Sequence, residues 1–219
     1  MNARGVLQCD AEVKSSYKKS VSLHFDVDSR EESYAARMLT KSLQERGYVI
    51  NANSGDYSIK FFIDKRGYDA EAFAIIPEGN VIKIIGGDYR GLIYGALSLS
   101  EDLRNEILLD NAVARSEKPK LMLRAVKYDL PWDTYRHSEA LNLHDETCRD
   151  PKYWEAFLDM MAENRLNALS LWNLHPYPFM IIPKNYPEAS PFTKEEFKEW
   201  QKLFQSIIGM AAERAIETY

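Results

Sequence analysis

The chain has 219 residues, of which 45% are hydrophobic and 28% charged, and its net charge is −5. That is enough for one large domain or two modest ones of an ordinary globular protein. No apolar run reaches the ~18 residues of a membrane-spanning helix, and the 28 basic residues are interleaved with acids, so neither membrane insertion nor a nucleic-acid partner is expected. The two cysteines, Cys9 and Cys148, cannot make a disulfide framework and stand in no metal-ligand spacing. Neither a metal nor a cofactor is expected. Met1 to Leu7 offers no apolar stretch of signal length, and residues 1–19 read as an extension.

From residue 20 the pattern is regular. Val21, Leu23, Phe25 and Val27 alternate with polar residues, the period of a half-buried strand. Ser29 to Glu32 has the form of a capping box, with Ser29 as cap and Glu32 reaching back. Ala35, Met38, Leu39 and Leu43 then follow helical spacing, and Gly47 stops the helix. Tyr57, Ile59, Phe61 and Ile63 alternate again. Phe73–Ile76 and Val81–Ile85 flank Pro77-Glu78-Gly79-Asn80, a hairpin turn. Ile93, Leu97, Leu103 and Ile107 mark a second helix from Tyr89 to about Ile107. The order β-α-β-β-β-α predicts an α+β domain over residues 20–112, with a mainly antiparallel sheet and both helices on one face. Residues 113–120 read as a polar linker.

Beyond Pro119 the rhythm changes. Leu121–Val126 reads as a strand, and residues 129–150 as a long loop. Asp150-Pro151 supplies a cap and a first-turn proline, and Trp154, Phe157, Leu158 and Met161 form an apolar helix face. Leu166–Trp172 is a short strand, followed by a second long loop to Phe192. Thr193 to Glu196 is another capping box, stapled by Phe192 and Phe197. Phe197, Trp200, Phe204, Ile207, Ile208 and Ala211 line its helix, and residues 216–219 begin a third strand. Strands alternating with helices predict a parallel sheet, and long loops after the strands are where barrel enzymes build their sites. A closed (β/α)₈ barrel needs ~250 residues. Residues 121–219 therefore read as an incomplete TIM-barrel fragment of two β/α units. Open strands of this kind predict self-association into homo-oligomers.

Three segments carry a family resemblance. Gly87-Asp88-Tyr89-Arg90-Gly91-Leu92-Ile93-Tyr94-Gly95 resembles the "G-x-x-Y-G" helix that ends the small domain preceding the barrel in family 20 hexosaminidases and in α-glucuronidases. Leu121 to Asp129 resembles their first barrel strand, which carries an Arg and then an Asp. Asn164 to His175 resembles the second strand, with its "N-x-L-x-x-H" pattern. The resemblance covers roughly residues 20–219. Arg124-Ala125 stands where the families have Arg-Gly, and Trp172-Asn173-Leu174-His175-Pro176 replaces the usual His-x-x-Asp. These departures point away from hexosaminidase specificity, toward an α-glucuronidase-like or other relative.

The resemblance implies a glycoside hydrolase with a carbohydrate substrate, secreted or periplasmic, whose catalytic carboxylates lie on strands beyond residue 219. The expected function is the amino-terminal portion of such an enzyme, inactive as this isolated chain; the alternative is a non-catalytic carbohydrate-binding or scaffolding module. By position Arg124 would contact sugar hydroxyls, since a guanidinium fork can hold two of them; a structural salt bridge is the other reading. Asp129 would orient Arg124 or bind sugar, or cap the loop. Trp132 lies in the first loop as a stacking ring or as packing. Trp172, Asn173 and His175 stand at the exit of the second strand, where barrel sites form; a core ring for Trp172 and a surface-loop histidine for His175 are the other readings. His144-Asp145-Glu146 fits no metal-ligand template.

Overall fold

The computed structural model describes residues 19–51, 54–131, 139–172, 181–190 and 192–219, the side chains of residues 140–142 excepted. In chain order the strands are β1 (Ser20–His24), β2 (Val49–Ile50), β3 (Tyr57–Ile63), β4 (Phe73–Glu78), β5 (Val81–Gly86), β6 (Arg115–Glu117), β7 (Ala125–Asp129), β8 (Ala168–Trp172) and β9 (Glu217–Thr218). The helices are α1 (Arg30–Glu45), α2 (Tyr89–Arg104), α3 (Glu139–Arg149), α4 (Pro151–Glu163) and α5 (Lys194–Glu213).

The first sheet has the order β2-β1-β3-β5-β4-β6. It is mixed and mainly parallel, not mainly antiparallel as its strand run predicts: β2, β1, β3 and β5 pair in parallel, and β4 alone runs against its neighbours. The reason is the connection. α1 carries the chain from β1 back to β2, a helical crossover that returns it in the same direction, and the chain then passes to β3 on the other side of β1. β4 then passes beyond the place of β5, and the two-residue turn at Gly79-Asn80 folds β5 into the gap between β3 and β4. Gly79 has φ +59°, which a glycine adopts without strain. Residues 115–117, read as linker, add a short edge strand to β4.

Other differences are local. α3 occupies most of the stretch read as the first long loop, and the strand expected at residue 121 begins only at Ala125, leaving Leu121, Met122 and Leu123 exposed. The first capping box is half made. Ser29 Oγ accepts from Glu32 N, but the Glu32 carboxylate reaches past Ser29 to Asp26 N at 2.7 Å. At Thr193 and Glu196 both halves form.

α1 and α2 cover one face of the first sheet and are covered in turn by α4 and α5. Behind those lies the second sheet, β7-β8-β9, wholly parallel. Eleven of the sixteen residues of α2 are buried, as a helix with packing on both sides requires. The "G-x-x-Y-G" pattern has a physical meaning here. A Cβ on Gly91 would lie 2.2 Å from the Ala72 carbonyl oxygen, and one on Gly95 would lie 2.6 Å from Ile84 Cγ2. The glycines let the helix lie directly on β4 and β5, while Tyr94 reaches the other way and donates to Arg165 O at 3.3 Å. Gly91→Ala is expected to cost roughly 1–3 kcal/mol, since the clash is with backbone that cannot swing aside; a thermal melt checks it.

Candidate functional site at the carboxyl end of the parallel sheet

Side chains alternate across β7 and β8. On one face Tyr128 packs among Tyr153, Trp154 and Phe157 of α4, with ring centroids 5.0–6.3 Å apart. Lys127 and Asp129 stand on the other face, 59% and 66% exposed. In the sheet register Asp129 lies beside Trp172, and Leu130 N donates to Trp172 O at 2.6 Å. The exits of the two strands are therefore tied by backbone. Lys127 Nζ lies 3.2 Å from Asp129 Oδ1 and 4.4 Å from the centroid of the Trp172 ring. A carboxylate, an ammonium and a half-exposed indole thus converge where open α/β sheets bind their ligands, at the carboxyl ends of the strands. Sequence reasoning misses Lys127, because it ends the strand at Val126; with β7 running Ala125–Asp129, the period of two puts Lys127 on the face of Asp129.

Behind this end His144 approaches Asp129 O through Nε2 at 3.4 Å and Cys148 Sγ through Nδ1 at 3.7 Å. Cys148 is buried against the Tyr128 hydroxyl, 3.4 Å away, and burial pushes its thiol pKa up. Asp145 pairs with Arg149 at 3.1 Å. Among the described residues no group of three or more metal-ligating side chains converges. Trp132, Asn173 and His175 lie outside the described residues, in the segments that leave β7 and β8 at this end.

Arg124 is elsewhere. It precedes β7, so it lies at the amino end of the sheet, five residues and therefore roughly 16 Å of strand from Asp129. Asp129 is therefore not placed to orient it, and its guanidinium is taken up in the protein. Nε donates to Arg165 O at 2.5 Å, Nη2 to the Tyr94 hydroxyl at 2.8 Å and to Glu71, and Nη1 to Leu121 O. Its side chain is 13% exposed. Glu71 also accepts from Arg90 at 2.6 Å and from Asn167 Nδ2 at 2.9 Å, and Asn167 Oδ1 accepts from Arg124 N. Burial opposes the Glu71 charge, but hydrogen bonds from Asn167, Arg124 and Arg90 outweigh it and hold the carboxyl below its ordinary value. This is a fastener between the two sheets, and it engages Arg124 in a salt bridge with Glu71. No local signal in the sequence links Glu71 to Arg124, because 53 residues separate them.

No protein-family model and no curated protein matches this chain. Solved structures do, and they are glycoside hydrolases. A GH138 enzyme targeting pectin rhamnogalacturonan II aligns with a TM-score of 0.78 and 28% identity over 90% of this chain and 30% of its own. A glycoside hydrolase family 20 β-N-acetylglucosaminidase aligns at 0.55 and 18% identity, over 92% of this chain and 38% of its own. A β-N-acetylhexosaminidase from Bacteroides fragilis gives 0.54 and 17%, over 92% of this chain and 40% of its own. The last two show likeness of fold. The chain spans less than half the length of each of the three.

Proposed function

We propose that this chain is the amino-terminal portion of a glycoside hydrolase acting on poly- or oligosaccharides. In this reading residues 20–112 form the leading α+β unit, 113–120 the link, and 121–219 the first two β/α units of a TIM barrel. The observation that carries it is the convergence of Asp129, Lys127 and Trp172 at the carboxyl end of parallel strands, the end at which barrel enzymes act. Indole rings stack on sugar faces, and carboxylate and ammonium groups hydrogen-bond hydroxyls. The GH138 relative targets pectin rhamnogalacturonan II, which makes pectic oligosaccharides the first ligands to test. A secreted or periplasmic location, and self-association through the open edges of β7 and β9, accompany the reading.

Glycosidic cleavage normally uses two carboxyl groups facing each other across the bond. Among the described residues the carboxyl end of this sheet presents one, Asp129. That favours the second reading, a carbohydrate-binding module without catalysis, for the chain taken alone. Calorimetric titration of the chain with rhamnogalacturonan II oligosaccharides, alongside an assay on aryl-glycosides, tests both. Binding without turnover is expected, weakened in Trp172→Ala by about 2- to 10-fold, the worth of ~0.5–1.5 kcal/mol of ring contact. Binding untouched by Trp172→Ala contradicts the placement of the site, and turnover by the chain alone contradicts its inactivity.

A further inference from the structure

We infer that Lys127 is a positioning residue of this carbohydrate site, holding the Trp172 ring and the Asp129 carboxylate in the arrangement a sugar meets. The inference rests on the reading above. Lys127 and Asp129 are two apart on β7 and share a face. Trp172 stands opposite Asp129 in the register, so it lies on the diagonal from Lys127, within reach of a long side chain. The ammonium is 4.4 Å from the indole centroid, inside the range of a cation over a ring, and 3.2 Å from Asp129 Oδ1.

The consequences are geometric. Trp172 is half-exposed, and the ammonium of Lys127 lies over its ring. With one face occupied, a sugar must stack on the other. The same ammonium pairs with Asp129, which fixes where its carboxylate oxygens can accept from sugar hydroxyls. A lysine contact thus turns a ring at a strand exit into an oriented platform. It contributes little to folding, because an exposed ion pair is worth little, and its removal leaves a folded protein to examine.

The test compares Lys127→Met and Lys127→Arg with the parent chain. Without ligand, the heteronuclear ¹⁵N NOE of the Trp172 indole is expected to fall in Lys127→Met and to recover in Lys127→Arg, whose planar guanidinium also stacks on rings. Oligosaccharide affinity should fall about 5-fold in the methionine variant and recover in the arginine one, with the melting temperature unchanged throughout. An unchanged indole NOE in Lys127→Met overturns the inference whether or not sugar binds. Parent-level affinity in Lys127→Met also overturns it while leaving the carbohydrate reading standing. Failure of the parent chain itself to bind sugar counts against that reading, and the NOE alone then decides the role of Lys127.

Discussion

Replacing Arg214 by alanine is expected to cost about 3–5 kcal/mol, the typical penalty for breaking a buried ion pair. In a chain of this length that lowers the melting temperature by roughly 6–20 °C. The Arg214 side chain is 0% exposed. At the end of α5 its Nε donates to Asp159 Oδ1 of α4 at 2.7 Å and its Nη1 to Met210 O at 2.8 Å. The guanidinium lies 4.7 Å over the ring of Tyr34 on α1, whose hydroxyl donates to the same Asp159 oxygen. One arginine therefore joins three helices across the seam between the two helical layers. Truncation leaves the partly exposed Asp159 with the Tyr34 hydroxyl and solvent, and opens a cavity where the fully buried guanidinium lay. Arg214→Met with Asp159→Leu should recover much of the loss, because an apolar pair of similar volume replaces a desolvated one. Chemical denaturation of both variants measures the difference. A loss below about 1 kcal/mol in Arg214→Ala, within the range of exposed ion pairs, would show that this seam does not hold the layers.

Glu71→Gln should have an effect of similar size, about 3 kcal/mol, because it strips the shared counter-charge from two largely buried guanidiniums, Arg90 and Arg124. It carries a pH signature as well. The folded-state pKa of Glu71 is depressed from its ordinary 4.5. Its stabilisation is therefore complete above the unfolded-state value and is lost as the pH falls through the folded one. Stability of the parent chain should drop below about pH 4.5, and that of Glu71→Gln should drop less over the same window; parallel curves would contradict the assignment. Arg124→Met separates structure from binding. It should lose stability at the same fastener and keep its affinity for oligosaccharide.

The sequence revealed much of this through periodicity, and what it hid has physical causes. α1, α2, α4 and α5 show apolar stripes, and the caps read at Ser29, Asp150 and Thr193 are ones the structure uses; the cap of α2 at Asp88 is not among those read. Alternation along β3 and β5 fixes which face is buried, but it is blind to strand direction, so the parallel pairing of β1, β3 and β5 stayed hidden. β2 and β6, with two and three residues, are too short to show a period. α3 reads as loop because its sequence is short and mostly polar, with Ala140, Leu141, Leu143 and Cys148 as its apolar residues. At the site the same rule holds. Asp129 and Trp172 could be placed at strand exits from sequence, since an exit is a local feature. The true partner of Arg124 could not, since a strand residue's role depends on which end of the sheet it occupies and on what lies beneath.

The central claim is that sugar meets this chain at the carboxyl end of β7 and β8. The most direct measurement is a ¹H–¹⁵N correlation spectrum of the whole chain, titrated with rhamnogalacturonan II oligosaccharide. The account predicts saturable shifts at Lys127, Asp129, Leu130 and the amide and indole of Trp172, with Arg124, Asn167 and Glu71 unmoved. Shifts centred on Arg124 at the amino end, or a spectrum that does not change, would contradict it.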